Sequence, residues 1–195
     1  PGWHGRSLPY ERTAALIAEL AAMGTHSIHF GGGGDPGAYP RLLELVQKVK
    51  AAGMQCSINS NFTLFDRDKV SALLAAGVDW FTLSIWAGSA AAYQAVHPGS
   101  DEQVFARVLD NLATVREFKR QRQTAIPTTM VINVVCNRNY ADMLNMFELA
   151  VQYAADKLWY QVFDPLEDTM ALRLSPGEKQ EVYALAEEVA ARRQR

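Results

Sequence analysis

Helical and strand-like segments alternate along almost the entire chain, and a chain built this way has few folds open to it. Helix, then strand, repeated five or six times, requires right-handed crossovers between parallel strands. Residues 6–23 read as the first helix: Leu16, Ile17, Leu20 and Met23 recur at helical spacing, and Gly24 supplies a stop. Residues 27–30 form a short strand that runs into four glycines. The pattern then predicts a helix over 40–52, a strand over 54–60, and a helix capped by Asp66 and stopped by Gly77. Residues 78–86, rich in β-branched, aromatic and aliphatic side chains, are the next strand.

Asp101 opens a long amphipathic helix that reaches Arg122. In the strand over 126–136 the apolar run Met130, Val131, Ile132, Val134, Val135 is nearly unbroken, which suits a parallel strand covered on both faces. A helix over 140–154, a strand over 158–163 and a helix over 175–192 complete the series, the last with Ser175, Pro176 and Glu178 as start signals. No interior linker interrupts the pattern, so one domain is expected over residues 1–195. A β/α fold opens on a strand, whereas the first element here is a helix. One strand is therefore expected ahead of Pro1, with an unpaired sheet edge that is an aggregation hazard or a route to a dimer.

Composition excludes several partners. The chain has 195 residues, 49% hydrophobic and 21% charged, with a formal net charge of -2, which gives no reason to expect nucleic acid or an anionic membrane. No apolar run is long enough to span a bilayer. The basic clusters Lys119, Arg120, Arg122 and Arg192, Arg193, Arg195 read as solvated helix ends. Cys56 and Cys136, isolated within strands, make neither a disulfide framework nor a metal motif, and a reducing, cytoplasmic setting is expected.

Parallel α/β folds bind ligands at the carboxyl ends of their strands. After the first strand comes Gly31-Gly32-Gly33-Gly34-Asp35-Pro36, where missing side chains let a ligand approach the backbone; Asp35 could accept from an ammonium or cap the next helix. The alternative is a purely structural glycine turn. Asn59-Ser60-Asn61 after the second strand suits sugar hydroxyls or a carboxylate, or simply forms a turn. Ser84 interrupts the apolar third strand, either for a ligand or to bond its own backbone. Asn133, inside the fourth, requires a ligand or a buried water. Asn137-Arg138-Asn139, Gln161 and Asp164 follow the same rule of place. No nucleophile–histidine–acid set is visible; His97 reads as structural or solvated, and His4, His26 and His29 lack metal-ligand spacing.

The motifs in order resemble those of radical S-adenosylmethionine (radical SAM) enzymes. Residues 30–36 are similar to that family's strand-end "GGEP" motif, residues 59–64 to its "TNGTLL", and residues 83–88 with Tyr93 and His97-Pro98-Gly99 to the "SLWAG…Y…HPG" stretch of one subgroup. The match in order and spacing runs over residues 6–185.

The resemblance implies a partial (β/α)₆ barrel in which a [4Fe–4S] cluster, held by a C-x₃-C-x₂-C loop, reductively cleaves S-adenosylmethionine to begin radical chemistry on a substrate the sequence does not name. It implies that Gly33, Gly34 and Asp35 meet the methionine amino group, that Asn61 and Ser84 lie near the methionine carboxylate and the ribose, and that Asn133 faces the nucleoside. Three departures stand out: the C-x₃-C-x₂-C segment is missing, Phe62 stands for the usual glycine, and Asp35 for the usual glutamate. Truncation ahead of Pro1 accounts for the missing strand and cysteines together, and leaves this chain by itself expected to be inactive. The competing expectations are a cluster-less binding or scaffold relative, and an unrelated TIM-barrel enzyme that binds a phosphorylated small molecule.

Overall fold

A computed structural model describes residues 7–193. His4, Arg6 and Arg195, on which some of the expectations above fall, lie outside them. In chain order the elements are α1 (Tyr10–Ala22), β1 (Ser27–Phe30), α2 (Leu42–Ala51), β2 (Gln55–Ser60), α3 (Arg67–Ala75), β3 (Trp80–Ser84), α4 (Ala90–Val96), α5 (Glu102–Arg122), β4 (Thr128–Val135), α6 (Met143–Gln152), β5 (Lys157–Val162) and α7 (Pro176–Arg193). The five strands form one sheet in the order β1-β2-β3-β4-β5, parallel at β1–β2, β2–β3 and β4–β5. Sequence order equals spatial order, as in singly wound β/α barrels and unlike doubly wound sheets. The expected α/β fold of the partial TIM-barrel type is the one observed. No described helix is long and apolar enough to cross a membrane.

The chain divides into two compact units, one of residues up to 83 with 107–129, the other of 84–106 with 130 onward. In the first, β2 alternates strictly: Cys56, Ile58 and Ser60 are buried, whereas Gln55, Ser57 and Asn59 are not. The buried set joins Val46 and Val49 of α2 and Val70 and Leu73 of α3, all fully buried, and so defines the helix-covered face. Asp66 caps α3 as expected, accepting from the Lys69 amide at 2.8 Å. In the second unit, Val135 packs with Met143 and Met146 of α6 and with Leu174 and Val182.

Two expectations need correction. β4 is an interior strand as expected, but its two faces are covered unequally: Thr129, Val131, Asn133 and Val135 are buried and the intervening residues only partly so. A hydrophobic run fixes strand character, but what covers each face is decided by neighbouring elements. The helix α4 and the 3-10 helix Glu167–Leu172 were not expected. Both are short and lack an apolar period, and local capping by Ser89 and Thr169 holds them.

Candidate functional site

In the first unit the residues singled out gather in the loops after β1 and β2. Gly31 to Gly34 are exposed, and the fold calls for glycine at the first two. A Cβ on Gly31 would lie 2.7 Å from His29 Nε2, because that imidazole, hydrogen-bonded through Nδ1 to Ser57 Oγ at 2.8 Å, leans over the loop. Gly32 has φ of +128°, a conformation side chains rarely adopt. Gly34 has neither constraint: its φ is not in the left-handed region and a Cβ there would meet nothing within 4 Å. The fold therefore does not require glycine at 34.

Asp35 is the hub of this loop. Its Oδ1 accepts from the Gly37 amide at 2.7 Å, and its Oδ2 from Ser60 Oγ at 2.7 Å and the Asn61 amide at 3.1 Å. Asn61 Oδ1 in turn accepts from the Thr63 amide and hydroxyl at 3.0 and 2.7 Å, and its NH₂ group has no partner among the described residues. Phe62 follows in left-handed conformation with φ of 62°, the conformation glycine adopts without cost. Its fully buried ring packs on Phe65 and Phe81 at 5.4 and 5.3 Å, and Asn111 Nδ2 donates to the carbonyls of Phe62 and Phe65 at 3.1 and 3.0 Å. The backbone geometry of a glycine is thus retained at 62 by burial of a large ring.

In the second unit, Ser84 is half-buried and its hydroxyl has no hydrogen bond among the described residues. Trp86 is left-handed at φ of 65°, and the segment after it is clamped. The Asp142 carboxylate, 8% exposed, accepts from the amides of Gly88 and Ser89, from Ser89 Oγ and from Asn145 Nδ2. A Cβ on Gly88 would fall 2.1 Å from the backbone of Asn145, so only glycine fits. Asn139 Nδ2 donates to the carbonyls of Trp86 and Val134 at 2.8 and 2.9 Å.

Asp142 and Asn111 were not anticipated: each sits on a helical segment, where a polar residue reads by default as a cap or a solvated face. His97 is structural, stacked on Tyr93 at 4.3 Å and donating Nδ1–H to the Tyr93 carbonyl at 3.2 Å. Burial holds its pKa below the usual histidine value. Asn133 is fully buried on the face of β4 shared with Val131 and Val135, and neither side-chain heteroatom has a partner among the described residues.

These loops carry the motifs at strand ends, and comparison with known proteins fixes their lineage. A family model described as the radical SAM superfamily matches residues 1–150. The chain belongs to the radical SAM superfamily. It is 25% identical over 155 residues to a PqqA peptide cyclase of Bradyrhizobium diazoefficiens, a match covering 79% of this chain and 38% of that protein. To the PqqA peptide cyclase of Gluconobacter oxydans it is 29% identical over 145 residues, 74% of this chain and 37% of that protein. The chain thus spans under two-fifths of the length of these relatives. Among solved structures, Streptococcus suis SuiB bound to S-adenosylmethionine superposes with a TM-score of 0.71 at 11% identity over 96% of this chain and 42% of SuiB. Coproporphyrinogen III oxidase (HemN) of Escherichia coli superposes with a TM-score of 0.66 at 16% identity, covering 94% of this chain and 44% of that one.

The radical SAM superfamily implies S-adenosylmethionine and a [4Fe–4S] cluster, and the residues present fit the two unequally. The exposed loop around Gly34, where no described residue lies within 4 Å of an added Cβ, fits a ligand that approaches backbone. The cluster does not fit the described residues. Cys56 and Cys136 are buried, the Cys56 thiol is pushed up to about 12 by burial and then by the neighbouring Asp79 carboxylate, and no described group of three or more His, Cys, Asp or Glu is arranged to hold a metal.

Proposed function

We propose that this chain is the S-adenosylmethionine-binding body of a radical SAM enzyme that acts on a peptide. The observation that carries the first half is Gly34, a glycine that neither backbone conformation nor internal packing calls for, in a loop pinned by Asp35 to Ser60 and Asn61. On this reading Gly33 and Gly34 offer backbone to the methionine amino group, and the free NH₂ of Asn61 donates to the methionine carboxylate. Asp35 acts by holding the loop, since three donors already occupy its oxygens. Ser84, with its free hydroxyl, is the second unit's own candidate for a ribose contact. Asn133, on the face shared with Val131 and Val135, is left to an internal water. In radical SAM enzymes a [4Fe–4S] cluster would supply the electron for cleavage of S-adenosylmethionine, and no described group of this chain is arranged to hold one. Support for a peptide substrate comes from the relatives: those matched over about three-quarters of this chain, in Bradyrhizobium diazoefficiens and Gluconobacter oxydans, are PqqA peptide cyclases, and SuiB has been solved bound to precursor peptide SuiA.

The test is calorimetric titration of the complete, cluster-loaded polypeptide with S-adenosylmethionine, beside its Gly34→Val variant, with circular dichroism as the control for folding. Binding should be abolished in a folded Gly34→Val protein, because a β-branched side chain would stand where the ligand meets the backbone. Unchanged affinity in that folded variant would refute the reading.

A further inference from the structure

A cleft of about 440 Å³ opens in the second unit at the carboxyl end of β5, lined among others by Val162, Phe163, Asp164, Met170, Arg173 and Lys179. Val162 and Met170 are 47% and 46% exposed, so the wall presents apolar area to solvent. Arg173 and Lys179 are exposed, and neither side chain has an ion pair or hydrogen bond among the described residues, although other arginines of this chain, Arg41, Arg67, Arg120 and Arg192, are each paired with a carboxylate. Asp164 lines the same cleft and is likewise unpaired. The three charged groups leave a net single positive charge beside an exposed apolar wall.

We infer that this cleft is a recognition subsite for a peptide carboxylate flanked by an apolar side chain, with Arg173 and Lys179 receiving the carboxylate, Val162 and Met170 receiving the neighbouring side chain, and Asp164 accepting from a peptide N–H. Charge complementarity selects the occupant. The cleft's net single positive charge suits a monoanion, whereas a phosphate monoester at pH 7 carries about 1.5 to 2 negative charges, and a peptide also brings the N–H that Asp164 can accept from. An arginine fork adds geometric selectivity for a carboxylate. The place is the one α/β folds use for ligands, outside the carboxyl end of a strand. The inference rests on the peptide reading for its biological sense, but the cleft's chemistry can be tested apart from it.

The experiment uses the complete polypeptide and two probes, acetyl-Leu-Glu-Leu-amide and acetyl-Leu-Gln-Leu-amide, titrated at low salt and followed by NMR, with inorganic phosphate as a competitor. The glutamate peptide should bind saturably and about fivefold or more tighter than the glutamine peptide, as expected of a charge-assisted bond weakened by exposure. That preference should vanish in an Arg173→Gln/Lys179→Gln variant, whose surface substitutions leave the fold intact. Equal affinity for both peptides, a preference that survives in the double variant, or displacement of the peptide by phosphate at equal concentration would overturn the inference. Release of 5′-deoxyadenosine from S-adenosylmethionine, measured in parallel on the cluster-loaded protein, reports on the radical SAM reading separately. Its loss in the double variant would place these residues in that chemistry instead and would also overturn the subsite.

Discussion

Ser60 Oγ donates to Asp35 Oδ2 at 2.7 Å, and this bond ties the loop after the first strand to the end of the second. The same oxygen accepts from the Asn61 amide, and the other oxygen from the Gly37 amide. A carboxylate can serve three donors at once; a carboxamide has one acceptor oxygen and must turn an NH₂ group toward a donor. Asp35→Asn should therefore cost about 1–3 kcal/mol of stability, the range for a partly buried donor left unsatisfied. A shift of the urea midpoint at constant slope would register it, and an unchanged midpoint would mean that the loop is held by other contacts.

Phe62 sets strain against burial. The left-handed backbone costs roughly 1–2 kcal/mol for a residue with a Cβ, while removal of a buried phenyl ring from such a core costs about 3–5 kcal/mol. Burial wins. Phe62→Gly, although it installs the residue that the family motif carries, should destabilise the protein by about 1–4 kcal/mol net. Denaturant unfolding of the two proteins decides the sign, and a stabilised glycine variant would show that strain outweighs packing here.

Asn61 has one end committed and one free. Its Oδ1 serves Thr63, so Asn61→Asp keeps the turn and replaces only the free NH₂ by a negative oxygen. Opposite a methionine carboxylate this exchanges a donor for a repelling charge, and S-adenosylmethionine affinity should fall at least about tenfold while the melting temperature stays within about 2 °C of the parent. Equilibrium dialysis with labelled S-adenosylmethionine is sufficient to measure it. A melting temperature that fell without any loss of affinity would assign Asn61 to the turn alone.

His97 should make stability depend on pH in a known direction. Burial lowers its folded pKa below the unfolded value, about 6.5 for a free histidine, so between the two values the unfolded chain binds the proton and the folded one does not. The stability contributed by neutral His97 is therefore complete above about pH 6.5 and lost on acidification below it. Urea midpoints at pH 7.5 and 5.5 should fall more for the native protein than for His97→Gln, which keeps a donor but does not titrate. Equal slopes for the two proteins would exclude His97 as the source.

Much of the fold was legible because periodicity is a local property. The strand Ser27–Phe30 falls where its side chains placed it, and Asp66 caps α3 as its position ahead of an apolar helix implied. The motif residues at 31–36, 59–64 and 83–88 were visible for the same reason: glycines and small polar side chains interrupt apolar strands at their ends. What escaped was pairing at a distance. Asn111 lies 49 residues from the Phe62 carbonyl it holds, and Asp142 lies 54 residues from the Gly88 amide. Nothing local distinguishes either from an ordinary helix-surface residue.

The sequence by itself determined the alternating parallel fold, the order of its strands and the loops in which ligand chemistry is concentrated, because side-chain periodicity and turn residues act over a few neighbours. Tertiary structure alone decided which polar groups of those loops remain free. Among the described residues, Asp35 is occupied by Gly37, Ser60 and Asn61; Asn61 keeps its NH₂; Gly34 keeps open space beside it; and Asn133 is enclosed without a partner. A hydrogen-bonding group's availability depends on every other donor and acceptor within about 3 Å of it, and only the folded chain brings those together.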